Sequence, residues 1–210
     1  MWLGERKALI VTGELGPEPR LARLDVDRGQ LDDLGPATAS SFIVASPDAS
    51  AAVLVHGLDT GDGEITSAGF SAQPAPAITG AVEVVDLTTG ARRRISDVPA
   101  FWAEWSPDGN AVLVGAAAST ALRWDLWSGG ELSTLAEFVP SQEFFDSYIR
   151  FAPAYAESPR LWSPDSAAIA FGSIVDGDSV AQTLSATPGG EPQTIGQSSV
   201  AFWSPSQSRS

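Results

Sequence analysis

The sequence predicts an all-β protein assembled from repeated four-stranded sheets, and three observations support this prediction. Short apolar runs alternate with turns rich in Gly, Pro, Ser and Asp, which is typical of strands joined by tight turns. The phrase "WSPDG" at 105–109 returns as "WSPDS" at 162–166, and an apolar run follows both copies. Helical periodicity is nearly absent. A chain of 210 residues with 43% hydrophobic content can bury one core or a row of small repeats.

The start of the chain predicts three strands of the first repeat. "GERKALIVTGE", "PRLARLDV" and "QLDDLG" match the repeat from its first turn onward, but the inner strand is missing. The tail "SSVAFWSPSQSRS" complements the start of the chain, because it carries an inner strand that no other strand follows. We therefore expect residues 198–210 to complete a sheet with residues 1–35, which would join the two ends of the chain and hide a sheet edge.

The second repeat, at 36–97, is a looser copy. "SFIVASP", "SAAVLVHG", "AVEVVDL" and "ARRRISD" are interpreted as its four strands, with an inserted loop at 58–80. Val44 and Ala45 stand where the other copies have an aromatic residue. The basic cluster at 91–96 is interpreted as an outer strand whose edge is protected by charge, in preference to an anion site.

The third repeat, at 98–137, is the cleanest copy and serves as the template. "PAFWAEWSP" is its inner strand, and "NAVLVGAA", "TALRWDLW" and "ELSTLAEF" follow, with turns at "DG" and "SGG". The fourth repeat, at 138–197, has the same order in "PRLWSP", "AAIAFGSI", "SVAQTLSA" and "EPQTIGQ". Each predicted strand has an ordinary length for a β-sheet.

The stretch 137–162 contains an insertion between the last strand of the third repeat and the first strand of the fourth. Its aromatic residues are Phe144, Phe145, Tyr148, Phe151 and Tyr155. Four of them recur at spacings of four, three and four, which would place them on one side of a short helix that Pro153 ends. Two interpretations remain open, a cap folded over the protein or a surface that recognises a partner.

The repeated phrase is interpreted as structural. Each tryptophan should wedge between neighbouring sheets, where burial of roughly 150–250 Å² stabilises the fold by several kcal/mol before entropy is subtracted. Proline ends the inner strand because it has no N–H donor, aspartate accepts hydrogen bonds from backbone amides of the turn, and glycine accepts a positive φ. The phrase comprises Trp105, Ser106, Pro107, Asp108, Gly109, Trp162, Ser163, Pro164, Asp165, Trp203, Ser204 and Pro205.

These repeats resemble those of the TolB-like β-propellers, whose WD40-like repeat carries Trp-Ser-Pro-Asp-Gly between the first two strands of each blade. The resemblance is strongest at "FWAEWSPDGNAVLVG" and "RLWSPDSAAIAFGS" and only partial at the two termini. It implies a single β-propeller domain with a blade for each of the four repeats. The blades are expected at 198–210 with 1–35, at 36–97, at 98–137 and at 138–197.

The resemblance leaves the closure of the ring open, because the family usually has more blades. The chain could be a four-bladed ring, half of a ring completed by a second copy, or a propeller that has lost upstream blades. The last is favoured, because TolB-like chains commonly close on a C-terminal inner strand such as "VAFWSP". An incomplete propeller would expose sheet edges and is expected to self-associate, whereas a closed one would be a monomer.

The resemblance implies a noncatalytic scaffold that binds a protein or peptide. The alternatives are a substrate-gating propeller fragment of a prolyl-oligopeptidase-like hydrolase, or a propeller enzyme that uses carboxylates of the channel. His56, the single histidine, lies in a predicted strand and is interpreted as a packing or hydrogen-bonding residue. "GFSAQ" lacks the second glycine of a nucleophile elbow. We expect no catalytic residue.

Composition excludes several classes of partner and ligand. A formal net charge of -14 opposes nucleic-acid binding, and zero cysteines exclude disulfides, thiolate metal sites and a cysteine nucleophile. The acidic loop at 58–64, with Asp59, Asp62 and Glu64, fails the spacing of a calcium-binding loop. No metal, cofactor, export signal or membrane span is expected. Two compartments are compatible with the sequence. The resemblance implies an extracytoplasmic protein, whereas the expected lack of an export signal implies a cytoplasmic one.

Overall fold

The structure is a computed structural model of the chain, and it describes residues 3, 6–38, 42–56, 80–147, 149, 161–201 and 203. Internal contacts divide the chain into two compact units, Met1–Ala103 and Glu104–Ser210. The described residues form fourteen strands and one helix, and the strand pairs are antiparallel. The predicted all-β class with repeated sheets is therefore confirmed.

The first sheet of the first unit contains β1, β2 and β3 in that order. The strands span Lys7–Thr12, Arg20–Asp25 and Gln30–Pro36. Leu9 and Leu21 are buried on it, and Asp25 Oδ1 closes the turn between β2 and β3 by accepting the amides of Asp27 and Arg28, both at 3.1 Å. Residues 204–210 lie outside the described part of the chain, so completion of this sheet by the tail remains a prediction.

The second sheet of the first unit has four strands in the order β4, β5, β6, β7. They span Phe42–Ala45, Ala51–Val55, Val82–Asp86 and Arg92–Ser96. Its apolar residues Leu54, Val85 and Leu87 share one core cluster with Leu9 and Leu21. The predicted inserted loop falls between β5 and β6, and its residues 57–79 lie outside the described part.

The third sheet has the order β11, β10, β9, β8 and follows the template repeat. Its strands, from β8 to β11, span Ala100–Trp105, Ala111–Ala117, Leu122–Ser128 and Glu131–Phe138. Every residue of β8 is buried, whereas β11 has exposed residues along much of its length. The first strand of this sheet thus faces the interior and the last faces solvent, as in a propeller blade.

The fourth sheet contains β12, β13 and β14. They span Ala168–Val175, Asp178–Ser185 and Gln193–Gly196. Asp176 (φ 53°) and Gly177 (φ 89°) form the two-residue turn between β12 and β13, because Val175 pairs with Asp178. Positive φ at both central residues is the geometry of a type I′ hairpin, for which Asp-Gly is a preferred pair.

A β-bulge recurs in the last strand pair of each of the four sheets. The register shifts lie between Arg20 and Ala22, Val82 and Glu83, Trp124 and Asp125, and Ala181 and Gln182. Such a bulge bends the strand and increases its twist. Its recurrence indicates that the four sheets are copies of one structural unit, although their sequences agree mainly in the turns.

Candidate functional site

The three Ser-Pro-Asp turns have the same hydrogen bonds. The serine hydroxyl donates to the aspartate Oδ1 in each, at 2.7 Å from Ser46 to Asp48 and at 2.6 Å from Ser106 to Asp108 and from Ser163 to Asp165. The same hydroxyl accepts the amide five residues on, at 2.9–3.0 Å. The aspartates are therefore engaged in shaping turns.

These turns lower the pKa of their carboxyl groups. The hydroxyl of Ser106 and the side chain and amide of Asn110 lower the pKa of Asp108 to about 2. The hydroxyls of Ser46 and Ser163 lower the pKa values of Asp48 and Asp165 in the same way. A carboxylate held in its ionised form is a poor general acid, so these aspartates suit structural work.

The tryptophans of the phrase join neighbouring blades of the second unit. Trp105 and Trp162 are 6% and 2% exposed, and Trp203 is half-buried. Trp162 Nε1 donates to the carbonyl of Glu104 at 3.4 Å, and Trp203 Nε1 donates to the carbonyl of Leu161 at 2.7 Å. Since Glu104 and Leu161 each precede a tryptophan of the phrase, Trp203 contacts the fourth blade as Trp162 contacts the third. Ser204 and Pro205 lie outside the described residues.

Glu104 is a buried carboxylate that reinforces this junction. It lies on β8, is 6% exposed, and its Oε2 accepts the amide of Leu161 at 3.1 Å. Its side chain and its backbone carbonyl thus both receive donors from the first strand of the next blade. The sequence analysis missed this role, because a single glutamate in "FWAEW" carries no signal that identifies its distant partner.

The insertion interrupts the innermost strand of the fourth blade. Residues 161–163 pair with one half of the free edge of β12, where the Ala170 amide donates to the Leu161 carbonyl at 2.9 Å and Trp162 pairs with Ile169. Residues 139–141 pair with the other half, where Pro140 pairs with Ser173. One strand position is therefore shared by two segments, and residues 142–160 connect them.

Helix α1, Gln142–Ser147, begins at the end of the first of these segments. Ser141 is fully buried and caps the helix, since its hydroxyl accepts the amide of Phe144 at 3.2 Å and its carbonyl accepts the amide of Phe145 at 2.9 Å. The predicted helical segment is therefore present in its first part, and the structure does not describe 150–160.

Phe144 lies in the core, in contrast to its predicted place on a recognition surface. It is 1% exposed, and its ring centroid lies 6.3 Å from that of Phe138. Phe138 in turn stacks on Trp124 at 5.1 Å and lies 4.8 Å from Phe171. Phe144 thus joins an aromatic cluster whose other members come from strands β10, β11 and β12, which the spacing within the insertion could not reveal.

The other aromatic residues predicted for that surface have different positions. Phe145 is half-buried on α1. Tyr148, Phe151 and Tyr155 lie outside the residues whose side chains are described. Among the aromatic side chains of the insertion that the structure describes, Phe145 is thus the one in contact with solvent.

His56 belongs to a polar network that links the two sheets of the first unit. Its Nε2 lies 3.0 Å from Glu83 Oε2, which also accepts a hydrogen bond from Arg92 Nη1 at 3.1 Å. Arg92 Nε donates to the Leu34 carbonyl at 2.9 Å, and Gly35, with φ of 103°, leaves room for its guanidinium. Burial raises the pKa of Glu83, but the hydrogen bond and the charges of His56 and Arg92 outweigh it and lower that pKa. This environment fits a structural role for His56.

The described residues contain no group of three or more His, Asp or Glu side chains positioned to hold a metal ion. Asp59, Asp62 and Glu64 of the acidic loop lie outside those residues. Helices in the described part of the chain are also too short or too polar to cross a lipid bilayer.

Comparison with known proteins identifies the fold. No protein-family model and no curated protein sequence matches the chain. Among solved structures, the chain is similar to TolB from Acinetobacter baumannii, with a TM-score of 0.51 and 16% identity over 90% of this chain and 41% of that one. It is also similar to the β-propeller domain of the Trilobed protease from Pyrococcus furiosus, with a TM-score of 0.52 and 11% identity over 91% of this chain and 53% of that one.

A third similar structure is the tricorn protease, with a TM-score of 0.55 and 12% identity over 87% of this chain and 17% of that one. The chain therefore spans about half or less of each of these three structures. At such low identities the likeness concerns the fold alone. The predicted TolB-like β-propeller fold is confirmed.

Proposed function

We propose that this chain, with its TolB-like β-propeller fold, is a noncatalytic scaffold that binds a protein or peptide through the insertion. One observation carries the proposal: residues 139–141 and 161–163 both pair with β12, so the insertion leaves and re-enters at one strand position. That position is the innermost of its blade. In a propeller the first strand of a blade lies beside the central channel. We therefore expect the insertion to lie where binding loops of propellers can reach a ligand.

The burial of Phe144 supports the proposal, because it fixes the helix that follows Ser141. A prepositioned surface loses less conformational entropy on binding than a free loop. Gln142, Glu143 and Ser147 of the helix are exposed, and Phe145 is half-buried. An aromatic side chain beside exposed polar groups is typical of a binding hot spot with a polar rim. We include Tyr148, Phe151 and Tyr155 in the proposed surface on the basis of the sequence.

The test measures binding of peptides selected from a display library on the immobilised full chain. Phe145→Ala is expected to weaken the selected peptides by about tenfold or more, as truncation of an aromatic hot spot does. Ile195→Ala is the matched control, because it removes an apolar side chain that is 59% exposed on β14, away from the insertion. Equal affinities for the wild-type chain and a folded Phe145→Ala variant would refute the role of the insertion.

A second candidate function is a propeller that gates substrates for a hydrolase. Two of the similar structures, the β-propeller domain of the Trilobed protease and the tricorn protease, come from proteases, which favours this candidate. A gate should slow cleavage of a folded protein by its hydrolase but leave cleavage of a short chromogenic peptide unchanged. Adding the chain to a hydrolase encoded beside it tests this, and equal effects on both substrates would exclude gating.

A further inference from the structure

The C-terminal segment of the described chain lies against the start of the insertion. We call residues 199–201 and Trp203 the C-terminal strap. The Ser199 carbonyl accepts the Ser141 hydroxyl at 3.0 Å, and the Ser199 hydroxyl donates to Glu143 Oε2 on the first turn of α1. Four residues further on, Trp203 Nε1 donates to the Leu161 carbonyl at 2.7 Å. The strap therefore contacts both segments that share the innermost strand position.

Gly172 of β12 leaves the space that the strap occupies. A Cβ atom at this position would overlap the Ser199 carbonyl oxygen and would lie 2.8 Å from Ser141 Oγ and 2.9 Å from Phe144 Cβ. A glycine inside a strand often marks a place where another backbone approaches closely. The three neighbours of Gly172 are the strap, the helix cap and the buried residue of the helix, so one position brings all of them together.

The Ser141 hydroxyl links the strap to the helix. It donates its single hydrogen to the Ser199 carbonyl and accepts the Phe144 amide at 3.2 Å. The carbonyl directs the hydrogen away from the helix and so leaves a lone pair for the amide. Because Ser141 is fully buried, removal of Ser199 would leave a hydroxyl donor without its partner or admit water beside the cap.

We propose that the C-terminal strap controls the order of helix α1, so that this helix is held in place only while the strap is seated. The inference concerns the chain alone and stands whether or not the insertion binds a partner. If it does bind one, displacing the strap should also lower the affinity for that partner, because binding would then carry the entropy cost of ordering α1.

The experiment compares amide hydrogen exchange in the full chain and in two glycine variants. Gly172→Ala should displace the strap and accelerate exchange of the Phe144 and Phe145 amides by about tenfold or more, while the β12–β13 hairpin stays protected. Gly196→Ala is the matched control, because it adds the same methyl group to β14 of the same sheet, where nothing lies within 4 Å. It should leave exchange in α1 unchanged.

Two results would overturn the proposal. One is faster exchange in residues 199–201 of Gly172→Ala with unchanged exchange at Phe144 and Phe145. The other is no change at either place, since the strap would then not be seated on Gly172. Trp203→Phe is measured beside Gly172→Ala, because the added methyl group of Gly172→Ala also approaches Ser141 and Phe144 directly. Trp203→Phe removes one hydrogen bond to Leu161 and leaves β12 and the helix cap intact. It should accelerate α1 exchange by about fivefold, and no acceleration would likewise overturn the proposal.

Discussion

Replacing Ala49 by glycine should stabilise the protein, because Ala49 has a backbone conformation that suits glycine. The three Ser-Pro-Asp turns place a residue at positive φ at the same position, namely Ala49 (56°), Gly109 (75°) and Ser166 (61°). An L-residue in the left-handed region costs about 1–2 kcal/mol, and the greater freedom of glycine in the unfolded chain costs about 0.4–1 kcal/mol. The net gain expected for Ala49→Gly is about 0.5–1 kcal/mol.

The structure provides two matched comparisons. Ala49 is exposed and its amide bonds the Ser46 carbonyl at 2.9 Å, which glycine retains, so little besides backbone strain changes. Gly109→Ala is the reverse change and should destabilise the chain by a similar amount. Ser166→Gly should be nearly neutral, because it relieves strain but removes the hydroxyl that accepts the Asp108 amide at 3.1 Å, a bond worth about 1 kcal/mol.

Urea unfolding followed by circular dichroism measures these differences. With a slope near 2 kcal/mol per M, the midpoint of Ala49→Gly should rise by roughly 0.3 M and that of Gly109→Ala should fall by a similar amount. A lower midpoint for Ala49→Gly, or an unchanged midpoint for Gly109→Ala, would show that backbone strain at this position does not limit stability.

Four further predictions concern stability, titration and association. Folding lowers the pKa values of Asp48, Asp108 and Asp165, so their ionised forms stabilise the fold at pH values above the pKa of the unfolded chain. The free energy of unfolding, measured by urea unfolding, should therefore decline as pH falls from about 4 towards 2. In an NMR titration, Ser106→Ala should return the pKa of Asp108 towards its ordinary value, and an unchanged pKa would contradict this cause. Glu104→Ala should lower the free energy of unfolding, measured by thermal melting, by about 1–3 kcal/mol, because it leaves the Leu161 amide unpaired. Glu104→Gln should retain that hydrogen bond and lose less stability. Equal losses in the two variants would contradict this role of the hydrogen bond. Sedimentation velocity should show association that increases with concentration if the propeller is open, and a concentration-independent monomer would support closure by residues 198–210.

The repeated sheets were predictable because their signals are local. Asp176 and Gly177 specify a hairpin turn wherever they occur between apolar runs, and the Ser-Pro-Asp phrase satisfies its own hydrogen bonds within five residues. The position of a turn fixes the ends of two strands. A sequence that marks its turns this clearly therefore reveals its sheets without knowledge of their packing.

The candidate site was less predictable because its contacts join distant parts of the chain. Ser141 and Ser199 are 58 positions apart, and Phe144 packs against Phe138, which in turn stacks on Trp124 of the neighbouring strand. The aromatic spacing of the insertion is compatible with either a core or a binding surface, since both use large apolar side chains. Gly172 did carry a signal, because glycine is uncommon inside a strand, but its neighbour could not be named from the sequence.

The divided first strand of the fourth blade has a consequence for the evolution of this chain. Both borders of the segment 142–160 are attached to one edge of β12, by Ile174 N bonding Val139 O at 2.8 Å on one side and by Ser163 N bonding Ala168 O at 2.7 Å on the other. Segments of other lengths and chemistries could be exchanged between these borders without a change in strand pairing, provided that an apolar side chain takes the place of Phe144 against Phe138. Related chains could then acquire new binding specificities by replacing this one segment.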